Sequence, residues 1–289
     1  MKKIIITGSS SGFGLKAVKD FADKGYQVFA TMRNPQGKNA QVKTELEAYS
    51  SHIKVVSMDV TNDTSVKEAM ENILEQAKNI DILINNAGIM FIGITEAYSV
   101  DQAKLQMETN YYGAIRTIQA VLPSMRKAGS GLIINTSSIV GRMSPPFFGT
   151  YTATKHALEG YAQALRYEVS PFGVDVVMVE PGPFGTGLLA SGQVPAHSEV
   201  LESYGDLAGV PNAMGENFAQ MLQSEDAPNP QWVVDAYLKL AETPFGSRAT
   251  RTVVGITWGV DKINELTQSI QDNVLKEMQL DSVLGGVSA

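Results

Sequence analysis

Short runs of aliphatic and β-branched residues alternate along most of the chain with longer segments whose apolar positions recur at helical spacing. The pattern predicts strands over 3–7, 26–31, 53–58, 81–84, 132–135 and 174–179, separated by helices over 12–24, 64–78, 99–127 and 151–169. The strands are nearly continuous in Ile, Val and Leu, as expected of strands covered on both faces. A strand–helix rhythm of this kind predicts an α/β protein with a doubly wound parallel sheet. The rhythm breaks over 183–230, where Gly, Pro, Ser and Met mix without period. A connection that long inside a compact domain carries function or short helices of its own, and it is read as a substrate-binding lid. Helix, strand and helix follow over 232–241, 252–254 and 261–278, so 231–289 reads as a C-terminal extension of a single domain spanning 1–289. The tail 284–289 is expected to be mobile.

Composition narrows the range of functions. The net charge is −7 with no sustained Lys/Arg run, which argues against nucleic acid or an anionic membrane as partner and leaves a small molecule. The chain has no cysteine, which excludes disulfides, thiolate zinc sites and a catalytic thiol, and its three histidines, His52, His156 and His197, are too scattered to predict a metal site. The apolar run after Met1 is interrupted by glycine too soon for a secretory leader, and no stretch approaches the ~20 apolar residues of a membrane helix. A soluble cytoplasmic protein is the expectation.

Three groups of residues carry candidate chemistry. The first strand runs into Thr7-Gly8-Ser9-Ser10-Ser11-Gly12-Phe13-Gly14 and then a helix. Such a turn lets backbone approach a pyrophosphate, and the helix N-terminus offers unpaired N–H groups and the positive end of its dipole. A Ser/Gly-rich helix cap would use the same residues, but the strand before and the helix after favour phosphate binding. The second strand ends Ala30-Thr31-Met32-Arg33-Asn34, with no carboxylate to accept from a ribose 2′-hydroxyl and with a guanidinium, at Arg33, able to meet a 2′-phosphate. That points to NADP rather than NAD; without the glycine turn, Arg33 would read as a solvated loop residue. Finally, Tyr151 and Lys155 stand one helical turn apart, so a phenol and an ammonium can address one site, and the cation is expected to depress the phenol pKa. Ser138, just past the strand ending at Asn135, can hold a carbonyl oxygen beside them.

Taken together, Thr7-Gly8…Gly12-Phe13-Gly14, Asp59-Val60, Asn85-Asn86-Ala87-Gly88, Asn110, Ser138, Tyr151…Lys155 and Pro181-Gly182…Thr186 occur in the order found in the short-chain dehydrogenase/reductase family, and the chain resembles that family over residues 3–187. The resemblance implies a Rossmann fold and an NADP(H)-dependent oxidoreductase that moves a hydride between nicotinamide and a carbonyl or alcohol. It implies Tyr151 as proton donor and acceptor, Ser138 as holder of the substrate oxygen, Lys155 on the nicotinamide ribose, and Asn110 keeping a water in the proton relay. It assigns the pyrophosphate to the turn of Gly8, Ser10, Ser11, Gly12, Phe13 and Gly14, the adenine to Asp59 and Val60, the adenosine ribose to Asn86, Ala87 and Gly88, and the nicotinamide carboxamide to Pro181, Gly182 and Thr186, with Phe184 among the cofactor-binding residues. Read singly, Asp59 is also a candidate cap for the helix starting near Thr61, and Asn110 an ordinary polar helix residue. Many NADP-preferring relatives carry a basic residue where this chain has Ser11, so the cofactor preference rests on Arg33 and the absent acid.

The segments 26–33 and 179–183 look most like the 17β-hydroxysteroid and retinol dehydrogenase-like branch. Met90, Phe91, Met143, Phe147, Phe148, Phe184, Leu188 and Leu189 are expected to wall the nicotinamide pocket, which suits a bulky or apolar ketone or aldehyde. By analogy with the family, helices 99–127 and 151–169 predict a homodimer or homotetramer. Two other functions fit parts of the pattern. A non-catalytic NADP(H)-sensing protein uses the same fold but usually lacks the tyrosine or lysine. An extended-type nucleotide-sugar epimerase carries Gly-x-x-Gly-x-x-Gly, which differs from the glycine spacing here.

Overall fold

In the computed structural model, which describes residues 1–224 and 226–280, seven parallel strands form one sheet in the order β3-β2-β1-β4-β5-β6-β7. They are β1 (Lys3–Thr7), β2 (Gln27–Met32), β3 (Ile53–Ser57), β4 (Ile82–Asn85), β5 (Gly131–Thr136), β6 (Val174–Pro181) and β7 (Arg251–Val254). The expectation of a mobile tail over 284–289 lies outside the described residues.

Successive side chains of a strand point to opposite faces, and β1 divides its residues accordingly. Ile4 and Ile6 pack with Phe21, Val234 and Tyr237, from α1 (Gly12–Asp23) and α9 (Gln231–Glu242). Ile5 packs on the other face with Ile73, Ile118 and Leu165, from α3 (Asp63–Ala77), α5 (Gly113–Ala128) and α6 (Gly149–Val169). These aliphatic side chains are fully or almost fully buried, and each contributes about 1.5–3 kcal/mol. The chain is a single α/β domain. Strand order reverses between β1 and β4, so the turns leaving their C-terminal ends diverge and open a crevice there.

The structure departs from the sequence expectation in two helices. The continuous helix expected over 99–127 is divided into α4 (Val100–Met107), a π-turn at Glu108–Tyr112 and α5. Ser99 and Gln102 start α4 as a reciprocal capping box. The π-turn inserts one residue without ending the helix, so the apolar period resumes beyond it and the insertion leaves little trace in the pattern. A second helix, α2 (Ala40–Tyr49), stands where no element was expected; it buries only Leu46 and therefore has no apolar stripe to read. Within 183–230 lie the short helices α7 (Ser198–Ser203) and α8 (Val210–Met221). The last helix, α10 (Val260–Glu277), follows β7.

A buried ion cluster ties the far side of the sheet together. Asp175 in β6 pairs through one carboxylate oxygen with Arg166 of α6 and through the other, at 3.1 Å, with Arg248 just before β7. Among the described residues no helix is long and apolar enough to cross a membrane.

Candidate active site

The crevice is closed at its base by glycine and by a small polar network. Gly8 has φ +66, and a Cβ there would stand 2.8 Å from the Ala87 Cα; at Gly14 a Cβ would stand 2.5 Å from the Gly8 carbonyl oxygen. The Thr7 hydroxyl accepts from the backbone N–H groups of Asn86 and Ala87, and Asn86 Nδ2 donates to the carbonyls of Thr7 at 2.9 Å and Gly8 at 3.2 Å. The turns after β1 and β4 are thereby stitched together with no room for side chains between them. The start of α1 faces the crevice with Ser11 as N-cap, whose side chain makes no capping bond, and with no acid in its first turn. Its leading N–H groups are therefore available to an anion.

At the next strand end Met32 is buried, Arg33 is exposed on the crevice rim, and Lys38 joins it there. Lys38 is delivered by a tight turn: Asn34 takes φ +47, and Asn39 Nδ2 donates to the Arg33 carbonyl at 2.6 Å. Asp59 does not cap the following helix. Asn62 does, accepting from Ser65 N–H at 2.8 Å, while one Asp59 oxygen accepts from the Thr61 N–H and hydroxyl. Val60 is held by the close approach of α5, where a Cβ on Gly113 would stand 2.8 Å from its side chain.

The opposite end holds Ser138, Tyr151 and Lys155, all buried. Ser138 begins a short turn after β5 and accepts from the Val140 N–H at 3.3 Å. Lys155 Nζ lies 5.6 Å from the centre of the Tyr151 ring and donates to the Thr136 carbonyl at 2.7 Å. The expected depression of the Tyr151 pKa is not what this geometry produces. Burial raises it well above the usual phenol value, and only the Ser138 hydroxyl works in the opposite direction. The ammonium sits over the ring and is tied to a backbone carbonyl, so desolvation dominates. Burial also lowers the Lys155 pKa to about 8, opposed by the carboxylate of Glu159.

The side chain of Asn110, in the π-turn, is hydrogen-bonded through both its oxygen and its nitrogen. Its Oδ1 accepts from the Ile89 N–H at 2.8 Å, and its Nδ2 donates to the Ile89 carbonyl at 2.8 Å and the Thr154 hydroxyl at 3.0 Å. The widened turn thus anchors the segment leaving β4 and the helix bearing Tyr151.

One cleft of ≈ 440 Å³ joins these parts. Gly8, Ser10, Ser11, Gly12, Phe13, Arg33, Asp59, Val60, Asn86, Ala87, Gly88, Ser138, Tyr151, Lys155, Pro181, Gly182, Phe184 and Thr186 all line it. Gly14 and Asn110 are not among the lining residues; they lie behind it and hold its walls. Of the apolar residues expected around the pocket, Met90, Phe148, Phe184, Leu188 and Leu189 line it, whereas Phe91, Met143 and Phe147 do not. Phe91 turns into the core and stacks on Tyr98, with ring centres 5.8 Å apart. Sequence reasoning missed Lys38, Ile92, Ile139, Phe218, Leu222 and Trp258, which also line the cleft. Phe218 and Leu222 come from α8 and its end, a segment without clear period, and Trp258, which takes φ +46, lies in the turn beyond β7.

A family model for short chain dehydrogenases matches residues 2–194. The chain belongs to the short-chain dehydrogenase family. The match supports an oxidoreductase acting on carbonyl or alcohol groups. The chain is 39% identical over 203 residues to a 3-ketodihydrosphingosine reductase of Bacteroides thetaiotaomicron, covering 70% of this chain and 71% of that one. It is 36% identical over 189 residues to retinol dehydrogenase 8 of Bos taurus, covering 64% of this chain and 60% of that one. Among solved structures, a short-chain dehydrogenase from Streptomyces avermitilis superposes with a TM-score of 0.74 at 28% identity, covering 97% of both chains.

Proposed function

We propose that this dehydrogenase uses NADP(H) to interconvert a bulky or apolar ketone or aldehyde with its alcohol, with Tyr151 as acid and base. The observation that carries this reading is the continuity of one cleft from the Arg33–Lys38 rim, past the glycine turn, to Ser138, Tyr151 and Lys155. The cradle fits a dinucleotide: Gly8 and Gly14 leave no space for a Cβ, and α1 aims unpaired N–H groups into it. The cofactor supplies the hydride. Gly8, Ser10, Ser11, Gly12, Phe13 and Gly14 would hold its pyrophosphate, Asp59 and Val60 the adenine, Asn86, Ala87 and Gly88 the adenosine ribose, Lys155 the other ribose, and Pro181, Gly182, Phe184 and Thr186 the carboxamide.

Ser138 orients the substrate oxygen by hydrogen bonding. Tyr151, kept protonated by burial, delivers its phenolic proton to that oxygen during reduction and recovers one in the reverse direction. Lys155 as an ammonium stabilises the phenolate that remains. Asn110 positions Ile89 and Thr154 around this centre. The segment 183–230 acts as the substrate lid, contributing Leu188, Phe218 and Leu222. Together with Ile139, Phe148 and Trp258 these walls carry no charge, which suits an apolar substrate.

Consumption of NADPH against a panel of ketones, aldehydes, quinones and 3-oxoacyl thioesters tests the reading. Turnover is expected with apolar ketones or aldehydes. Tight NADPH binding with inertness across the panel would favour a non-catalytic sensor instead.

Cofactor choice is tested separately. Arg33→Ala is expected to weaken NADPH binding roughly tenfold to a hundredfold, the worth of one charge-assisted contact, with NADH unaffected. Lys38→Ala should act in the same direction, and both effects should shrink as salt rises. Equal weakening of both cofactors would remove the 2′-phosphate role. A homodimer or homotetramer is also expected by analogy with the family, through the helices over 99–127 and 151–169. A single-chain mass by light scattering at micromolar concentration would overturn it.

A further inference from the structure

Behind Lys155, away from the cleft, two carboxyl groups share one buried site. Glu159 lies one helical turn after Lys155 in α6, and Glu180 is the penultimate residue of β6; their side chains are 2% and 0% exposed. Both stand against the same guanidinium nitrogen. One guanidinium serves both: Arg251 Nε donates to Glu159 Oε2 at 2.9 Å and lies 3.5 Å from Glu180 Oε1. Asn264 Nδ2 of α10 donates to Glu180 Oε2. The remaining oxygen of each residue, Glu159 Oε1 and Glu180 Oε1, has no hydrogen-bond partner.

Each acid presents one buried oxygen without a hydrogen-bond partner beside the same guanidinium, where two ionised carboxylates would repel and a single proton removes one of the two charges. The surrounding charges relieve that repulsion only in part: Arg251 and Arg142 both lie within electrostatic reach of the two acids, but neither serves one acid alone. Arg251 of β7 is divided between the two acids and Gln163, and Arg142, after β5, directs its guanidinium to Asn264 and Thr267 of α10. Lys155 is the remaining cation, on the Glu159 side. Gly141 brings the turn bearing Ser138 against this spot, where its Cβ would stand 3.1 Å from Glu159 Cγ and 3.4 Å from Lys155 Cβ.

We infer that Glu159 and Glu180 form a buried acid pair carrying one proton, lodged on Glu180, and that the charge left on Glu159 holds Lys155 as an ammonium. The second half rests on the reading of Lys155 as the group beside the reacting tyrosine. Glu159 is then a positioning residue for charge, and β7 and α10, through Arg251 and Asn264, help set the protonation of the active site. Burial and the neighbouring Glu159 raise the Glu180 pKa from 4.5 to about 8, in agreement with this assignment. An acid whose pKa is higher folded than unfolded holds its proton more tightly in the folded state. Its contribution to stability is full below about 4.5 and is lost as pH rises through about 8.

Two measurements test the pair, and neither requires turnover. Melting temperature against pH should decline for the wild-type protein across that interval. Glu180→Gln, an amide in place of the protonated acid, should lack this decline and exceed the wild type in stability at pH 9. A Glu180→Gln protein less stable than wild type throughout would make Glu180 an ordinary ionised partner of Arg251 and overturn the proposal. The second measurement is an NMR titration of isotopically labelled lysine, with the Lys155 signal assigned by its loss in Lys155→Met. Glu159→Gln should lower the Lys155 midpoint by about one pH unit, while Glu180→Gln leaves it in place. No change in Glu159→Gln, or equal changes in both variants, would overturn it. If Glu159→Gln does not fold, the Glu180→Gln melting profile still decides. Failure of the substrate panel would remove the proposed activity and leave these two results standing.

Discussion

Tyr151→Phe is expected to reduce turnover by about 10²–10⁴-fold, the usual worth of a positioned acid–base group, and to leave NADPH binding near wild type. The asymmetry follows from what the substitution removes. The Tyr151 ring packs with Ile139, Val140 and Phe148, and phenylalanine keeps that packing while deleting the transferable proton. Because burial keeps the phenol protonated, reduction in the wild type should persist through neutral pH and fall as Lys155 loses its proton near pH 8. Lys155→Met should damage both turnover and cofactor affinity, since the ammonium is assigned to the phenolate and to a ribose. Single-turnover decay of NADPH absorbance distinguishes these cases. Hydride transfer at the wild-type rate in Tyr151→Phe would remove the tyrosine from the mechanism.

The largest effect on stability is expected at Asp175, far from the cleft. Asp175→Ala leaves Arg166 and Arg248 with their charges and without their shared carboxylate, and the Arg166 side chain is only 2% exposed. Breaking a buried pair from one side costs about 3–5 kcal/mol, a large share of the roughly 5–15 kcal/mol that holds a domain folded. Urea unfolding should show a lower midpoint with little change in slope. At low denaturant, KM for the cofactor should stay near wild type, because Asp175 touches no residue of the glycine turn. A midpoint unchanged within error would mean that the cluster relaxes or takes in water once the acid is gone.

Much of this architecture is legible along the chain. The six strands through Val179, and the seventh near residue 253, are short apolar runs bounded by turns, and each strand formed within about two residues of its expected place. Lys24 lies just beyond the end of α1, where it was expected to belong to the helix. These features depend on neighbours in sequence, and period carries them.

The same is true of part of the site. The glycine turn is a local steric requirement, and Tyr151 and Lys155 share a face because they stand four apart on one helix. The sequence by itself therefore determined the strands of a parallel sheet, the glycine turn and the helical face that bears Tyr151 and Lys155. Tertiary structure decided whatever depends on contacts between distant segments. In the π-turn, Asn110 bonds Ile89 and Thr154, 21 and 44 residues away. Phe91 left the pocket for Tyr98, and Trp258 entered it through a left-handed backbone. The Tyr151 pKa moved opposite to expectation because spacing reports which charges are near, whereas burial, which desolvates them, exists only once the sheet, α6 and the covering segments have closed together. Glu159 and Glu180 meet for the same reason: two acids 21 residues apart in sequence, one on a helix and one on a strand, are brought against one arginine of the last strand, a juxtaposition that no local pattern encodes.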